Sequence, residues 1–371
     1  MRSQSSCANF LLMNLMTTNM LPRVAIVYLS YNGKKYLDEV FSSLRQLNYP
    51  EAKLEIIAVD NDSKDGSAEW LRTQEGITFF PSETNLGFAE GNNLGMNHAL
   101  LGGVDYVYLL NGDAKLHPDA IMEAVKVAES DASVGSVQSR IMLWHQPEII
   151  NATGGMVHFL GFGFVKDNGQ RWVHDEHVSS DGSAQEIAYS SGAAVLYRAS
   201  VLRKVGLLDP FLFLYHEDLE LGWRIRLSGF NNVLATESIA YHDYEFSRSI
   251  QKFYWMERNR VLVHFSHLTW RSLFVLAPLM AFVELGLLLF ALKGGWLKEK
   301  FLVYVSLLSP RSWKYVAKKR RESQAIRSVT DKDIVSLWTA KIEHQATSSP
   351  LVDKVANPVM GVLWSILKRF I

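Results

Sequence analysis

The chain has little of several things that would narrow its role. A single cysteine, Cys7, excludes an intramolecular disulfide framework and suits a reducing compartment. There is no charge excess: 38 basic residues cancel 38 acidic ones, so nothing overall points to nucleic acid as a partner. No repeat or low-complexity tract is visible. A clean signal peptide is also missing. Residues 1–21 carry one charge, Arg2, and a short apolar patch, Phe10 to Met13, that Asn14 breaks, with no small-residue cleavage site. This leader is expected to be disordered or mis-started, with Met20 as the true start. Hydrophobic residues, by contrast, make up 48% of the 371, and much of that excess follows residue 260.

The first half alternates strands and helices. Val24–Leu29, Leu54–Val59, Ile77–Phe80 and Val104–Leu110 are short, apolar and rich in β-branched and aromatic residues, as buried parallel strands are. Between them lie helices at Tyr36–Leu47, with Leu37, Val40, Phe41, Leu44 and Leu47 on one stripe, at Ala68–Thr73, and after Asn93 to about Leu101. The pattern predicts an α/β, doubly wound, mostly parallel sheet with flanking helices. Ligands of such sheets sit at the carboxyl ends of the strands. The turn Asn111-Gly112-Asp113 falls at such an end, either as an ordinary turn or as the seat of a reactive carboxylate. A nicotinamide dinucleotide fold is excluded at the first turn: Ser30-Tyr31-Asn32-Gly33 offers one glycine where three are needed.

Ser30-Tyr31-Asn32, Val59-Asp60-Asn61-Asp62-Ser63 with Asp65-Gly66-Ser67, Asn85-Leu-Gly-Phe-Ala-Glu-Gly-Asn-Asn93 and Leu110-Asn111-Gly112-Asp113 follow one another in that order. Together they resemble the nucleotide-sugar glycosyltransferases of family 2, with the GT-A fold, over about Val24 to His267. The resemblance implies that Ser30, Tyr31, Asn32 and Asp60 hold the nucleoside, with Asp60 accepting from the base. It assigns Asn61, Asp62, Asn85, Gly87, Asn92 and Asn111 to the same nucleotide-sugar site. Asp113 would be the last carboxylate of an Asp-x-Asp element binding Mg²⁺ or Mn²⁺ on the diphosphate, since a hard cation with oxygen ligands offsets that charge. Position 111 departs from many relatives, which have Asp there.

Downstream, Ser190-Ser191-Gly192-Ala193-Ala194 enters a strand through small residues that let a ligand approach, placing Gly192 at the donor site. Asp218 opens a helix on which Leu219, Trp223 and Leu227 stack at four-residue spacing. It is either an N-cap or, as the resemblance implies, the general base of a Glu217-Asp218 pair, with Trp223 near the donor. His242 is either a packed histidine or, by the same resemblance, a second metal ligand. Ser247 and Arg248 could reach the diphosphate. Asn151-Ala-Thr153 matches a glycosylation acceptor and is read as chance. Gly154–Gly163 and Asp167–Ser183 suggest a mobile loop near an acceptor.

Ser272–Leu292 is an apolar run long enough to span a bilayer, interrupted by Pro278 and Glu284. Lys and Arg flank it on both sides, against a single span, so a hairpin completed by Phe301–Leu308 or helices lying in the interface fit better; a buried core helix is the plain alternative. Residues 322–352 read as polar and loosely ordered, and Val359–Ile371 as an interfacial tail. The expected organisation is a leader (1–21), a glycosyltransferase domain (22–267), hydrophobic membrane-associated helices (268–310) and a basic, amphipathic tail (311–371). The expected partners are a nucleoside diphosphate sugar donor, a lipid-linked or polysaccharide acceptor and a membrane surface. The subgroup resemblance is rhamnosyltransferase-like and implies dTDP-rhamnose. A nucleotidyltransferase and a non-catalytic binding relative compete with this reading; the first would need a Gly-rich basic loop, for which Lys34-Lys35 is a thin substitute.

Overall fold

The computed structural model describes residues 21–173, 184–244, 250–342 and 352–371. The expected leader through residue 20, the polar run 174–183 and Ser247 and Arg248 lie outside them. The chain runs β1 (Val24–Ser30), α1 (Lys34–Arg45), β2 (Leu54–Asp60), α2 (Ser67–Arg72), β3 (Ile77–Pro81), α3 (Gly87–Leu101) and β4 (Tyr106–Asn111). Next come β5 (Ala114–Leu116), α4 (Ala120–Ser130), β6 (Val134–Leu143), β7 (Gln146–Ala152), β8 (Gly155–Val157) and β9 (Gly163–Val165). The α/β part ends with β10 (Gln185–Ile187), β11 (Ala194–Arg198), α5 (Ala199–Val205), α6 (Glu217–Leu227) and β12 (Asn231–His242).

Among the described residues the sheet is 10-stranded, with its main path ordered β10-β12-β6-β11-β4-β1-β2-β3. β4, β1, β2 and β3 are parallel, as the buried apolar runs predict, while β11 lies antiparallel between β4 and β6, so the sheet is mixed. Every residue of β1 is buried. α3 lies unusually close to that strand: a Cβ added at Gly91 would stand 2.8 Å from Leu29 Cδ1, and one at Gly95 2.5 Å from Val27 Cγ1. Gly91 of the 85–93 motif and Gly95 just beyond it are thus a packing face, where any larger side chain would push the helix off the sheet.

Further helices follow among the described residues: α7 (Ile250–His267), α8 (Trp270–Gly294), α9 (Leu297–Leu308), α10 (Pro310–Ile326), α11 (Asp331–Val335) and, after a π-helical turn at Val352–Ala356, α12 (Asn357–Leu367). A second hydrophobic core joins them to the α/β part through Phe159, Leu160, Leu219, Trp223, Leu227, Tyr315, Trp338 and Trp364. Two expectations are corrected here. Gly154–Gly163 is not a free loop, because Phe159 and Leu160 are buried and β8 pairs with β9. The start of the 322–352 stretch is ordered too: α10 runs to Ile326, Thr330 and Asp333 form a capping box, and Trp338 is buried. Glu284, the charge inside the apolar run, is satisfied by Lys300 Nζ (2.6 Å), Arg260 Nη2 (3.3 Å) and the Tyr304 hydroxyl (2.7 Å), and Glu257 completes this cluster from α7. Removing one member would leave the others buried and uncompensated.

Three histidines in this second core are held neutral. Burial pushes His158 and His216 down to about 4 and His264 to about 3. Each ring hydrogen-bonds a backbone carbonyl, of Ala340, Gly161 and Phe159 respectively. The unfolded chain, with histidines near 6.5, binds more protons than the folded one below that pH, so stability is lost as pH falls from about 6.5 toward 4. Each histidine adds a slope of up to about 1.4 kcal/mol per pH unit there. Chemical denaturation between pH 7 and 4.5 should show wild type losing stability, with a shallower slope for His158→Asn, which keeps an amide and cannot titrate. Equal slopes would contradict this.

Candidate active site

Register brings the motifs together. Ser30 of β1 pairs with Asp60 of β2, and Leu29 with Asn111 of β4, so three strand ends finish at one level. Asp60 Oδ1 accepts from the Ser63 amide (3.0 Å), while Asp60 Oδ2 and Ser30 Oγ are buried without a partner. A buried, unpaired carboxylate oxygen is costly unless a ligand donor reaches it. Asn32 rests with φ 50° and accepts from the Lys64 amide (2.7 Å), and its own amide donates to Ser63 Oγ (2.9 Å), which ties the two loops together. Tyr31 is 52% exposed beside them, and Asp62 pairs with Lys64.

Asn61 works behind this edge. Its Oδ1 accepts from the Leu86 amide (2.8 Å) and its Nδ2 donates to Asn85 Oδ1 (3.2 Å) and Gly87 O (3.1 Å); Asn85 Oδ1 also accepts from the Gly87 amide. Asn92 is buried and donates to Phe88 O one turn back in α3. These three fix the entry to α3 instead of presenting free groups.

Asp113 stands just past β4, in a turn that the Tyr28 hydroxyl ties to β1 by donating to Gly112 O (2.9 Å). β12 brings His242 to it: Nε2 lies 3.0 Å from Asp113 Oδ1, and Nδ1 lies 3.0 Å from Asn151 Oδ1 on β7. If Nδ1–H donates to the Asn151 oxygen, the Nε2 lone pair faces a carboxylate, and that contact closes only through a proton or a cation. If the amide is turned over, its unpartnered Nδ2 donates to Nδ1 and Nε2–H donates to Asp113. The first arrangement fits a divalent cation, because one half-exposed carboxylate and one oriented imidazole leave positions for diphosphate oxygens. Among the described residues no group of three or more His, Cys, Asp or Glu side chains is placed to hold a metal. Asn151 is the residue that sequence reasoning missed. It is buried, as is Thr153, which agrees with reading the glycosylation match as chance.

The third part comes from β11 and α6. Asn111 N donates to Ala193 O (3.0 Å), and Gly192 N donates to Asp218 Oδ2 (3.2 Å), so the small-residue entry to β11 bridges the β4 end and the helix. Asp218 sits inside the first turn of α6, after the N-cap position held by His216. Burial raises both acidic residues, Glu217 well above the carboxylate range with the Asp218 charge adding to it. The two divide physically: Asp218 is half-buried and accepts two amide protons, from Gly192 and Leu219, while Glu217 Oε2 is buried and unpartnered. Asp218 is the better place for a negative charge, and Glu217 for a proton.

Trp223 does not join this edge. It packs at 5.0–5.5 Å against His264, His267 and Trp338 in the second core, and its neighbour Arg224 forms a buried pair with Glu220 (2.6 Å). The expected donor contact from Trp223 is therefore corrected: the four-residue stripe faces the core. A polar cavity of about 440 Å³ lined by Asp105, Glu129, Arg198 and Arg203 includes none of the motif residues.

The mixed sheet with its flanking helices is the GT-A fold. A crystal structure of GalNAc-T7 with UDP, GalNAc and Mn²⁺ superposes with a TM-score of 0.56 at 16% identity, covering 70% of this chain and 51% of that one. Residues 25–206 match the family described as Glycosyl transferase family 2. Curated relatives include the poly-beta-1,6-N-acetyl-D-glucosamine synthase of Staphylococcus epidermidis, 24% identical over 55% of this chain and 46% of the relative. Another is the N-acetylglucosaminyl-diphospho-decaprenol L-rhamnosyltransferase of Mycobacterium tuberculosis, 24% identical over 61% of this chain and 76% of the relative. The chain thus spans about half the length of the first of these and three quarters of the second.

Proposed function

We propose that the chain is an inverting glycosyltransferase that moves a hexose from a nucleoside diphosphate to a hydroxyl acceptor. The observation that carries this reading is the convergence of Asp60, Asp113 and Asp218 on one sheet edge, each on a different structural element. The unpaired Asp60 Oδ2 accepts a donor from the base, and the loop at Ser30–Asn32 flanks the nucleoside. Asp113 and His242, the latter oriented by Asn151, would hold Mg²⁺ or Mn²⁺. Such a cation, when bound, offsets the charge of the departing diphosphate. Asp218 takes the proton of the acceptor hydroxyl as its oxygen bonds to the anomeric carbon, and the sugar–phosphate bond breaks on the opposite face. Glu217, kept protonated behind it, leaves Asp218 as the carboxylate that works as base. Rhamnose from dTDP-rhamnose as donor, and a lipid-linked or polysaccharide acceptor, draw support from the mycobacterial relative's name and the subgroup motifs.

Membrane extract supplied with a panel of nucleotide sugars should release nucleoside diphosphate from one of them. Asp218→Asn should cost roughly 10²–10⁴-fold in kcat, and Asp113→Asn or chelator should also abolish most turnover. Full activity in Asp218→Asn would reduce that residue to part of a helix terminus. Pyrophosphate release from a nucleoside triphosphate would favour nucleotidyl transfer, and nucleotide binding without turnover a non-catalytic relative.

The domain works at the cytoplasmic face of a membrane, where nucleotide sugars are made. α8 is long and apolar enough to cross a membrane, and little of it is buried. Its inner face meets the protein along most of its length, at Leu273, Leu276, Glu284 and Ala291, which suits a helix lying on a leaflet more than one crossing it. Phe274, Phe282, Leu285 and Leu289 are 60–76% exposed, and Val305 and Leu308 of α9 add 67% and 80%. Contiguous apolar surface of this kind marks a membrane contact. Wild type should float with lipid vesicles, whereas a Phe282→Glu, Leu289→Glu double variant should remain in the dense fraction. Equal flotation, or no flotation of wild type, would contradict the lipid contact.

A further inference from the structure

The segment that delivers Glu217 and Asp218 is held in an uncommon backbone conformation. Phe213, Tyr215 and His216 have φ of 63°, 65° and 70°, and none is glycine. L-residues keep such angles only where the surroundings over-determine them. The loop has an anchor at its start, where Asp209 meets Lys319 Nζ (2.8 Å) and the Tyr315 hydroxyl (3.0 Å) of α10. It has another where Phe88 N, at the start of α3, donates to Phe213 O (2.8 Å). Across its centre lie side chains of α7: the Trp255 ring stacks on Phe213 (4.9 Å), and one amide beside it bonds the backbone.

Asn259 is completely buried, and its Nδ2 donates to Leu212 O (2.9 Å), Leu214 O (3.0 Å) and Tyr215 O (2.8 Å). Its Oδ1 accepts from Arg258 Nη1 (2.9 Å), which also donates to Phe211 O (3.1 Å), while Arg258 Nε reaches Ser306 Oγ of α9 (3.2 Å). The acceptor oxygen is thereby fixed on the Arg258 side, so the two N–H groups of the amide can only face the loop. Loop carbonyls turned inward by left-handed residues need donors there, and an aspartate or an aliphatic side chain of similar size has none to give.

We propose that Asn259 is a positioning residue for the transfer: its amide locks the loop 212–216 so that α6 starts where Asp218 meets Gly192 N. This rests on the glycosyltransferase reading. The nucleoside and diphosphate side chains stand on β1, β2, the β4–β5 turn and β12, not on this loop, so the lock acts on the chemical step and leaves donor binding alone. It also makes α7 a direct link between the membrane-facing helices and the base.

Full-length Asn259→Asp and Asn259→Ala are compared with wild type for kcat, nucleoside diphosphate affinity with Mg²⁺, and amide hydrogen exchange. In either variant, kcat should fall by at least about tenfold, the size expected when one or two net hydrogen bonds on a reacting group's support are lost. Affinity should stay within about twofold and exchange should quicken in 212–218 while β1, β2 and β4 keep their protection. If the buried carboxylate of Asn259→Asp prevents folding, Asn259→Ala decides. Unchanged kcat, or kcat and nucleotide affinity falling together with loss of sheet protection, overturns the proposal. If wild type turns over no donor, the functional reading fails on its own. The lock is then judged by exchange alone, and unchanged exchange in 212–218 with intact nucleotide binding overturns it.

Discussion

The parallel register of β1 against β2 and β4 is the constraint on which the site depends. It aligns Ser30, Asp60 and Asn111 at a single level, and every other part of the edge is brought to that line. β11 crosses antiparallel beside β4 and offers the Gly192 amide, and β12 returns alongside β5 to set His242 against Asp113. A slip of one residue in β4 would turn Asp113 away from both. The small residues of α3 serve the same end, since its close approach keeps the loop 85–87 over the β2 end.

The C-terminal helices are packed into the α/β part and are not an appendage to it. Hydrophobic packing of Trp223, Trp338 and Trp364 ties them to the α/β part, and the Glu257–Arg260–Glu284–Lys300 cluster fixes α8 and α9 to α7. Buried ion clusters add little net stability yet specify one arrangement strongly, because any other leaves a charge unpaired. Here that arrangement sets the apolar face of α8 outward and the amide of Asn259 inward.

Much of the first half was legible in the sequence. Continuous apolar runs such as Val24–Leu29 suit interior strands buried on both faces, their alternation with helices marks them parallel, and the turns that end them carry the motif residues. The antiparallel course of β11 was not legible, because a five-residue apolar strand reads the same in either direction. The stripe of Leu219, Trp223 and Leu227 was read correctly as one face, but spacing does not say which layer a face meets, and Trp223 went to the core. Asn151 carried only a glycosylation match that pointed elsewhere, and Asn259 no local signal at all. Their partners lie 91 and 44 residues away, at His242 and Tyr215, and an isolated asparagine looks like any polar residue until the fold closes around it.

The central claim, that this sheet edge holds a nucleoside diphosphate and its cation, is tested most directly by a crystal structure of the chain with nucleoside diphosphate and Mn²⁺, read by anomalous scattering at the manganese edge. The account predicts one manganese peak bonded by Asp113 and His242 and by diphosphate oxygens, with the base donating to Asp60 Oδ2. Nucleotide bound elsewhere, or manganese absent from Asp113 in crystals that contain the nucleotide, would contradict it.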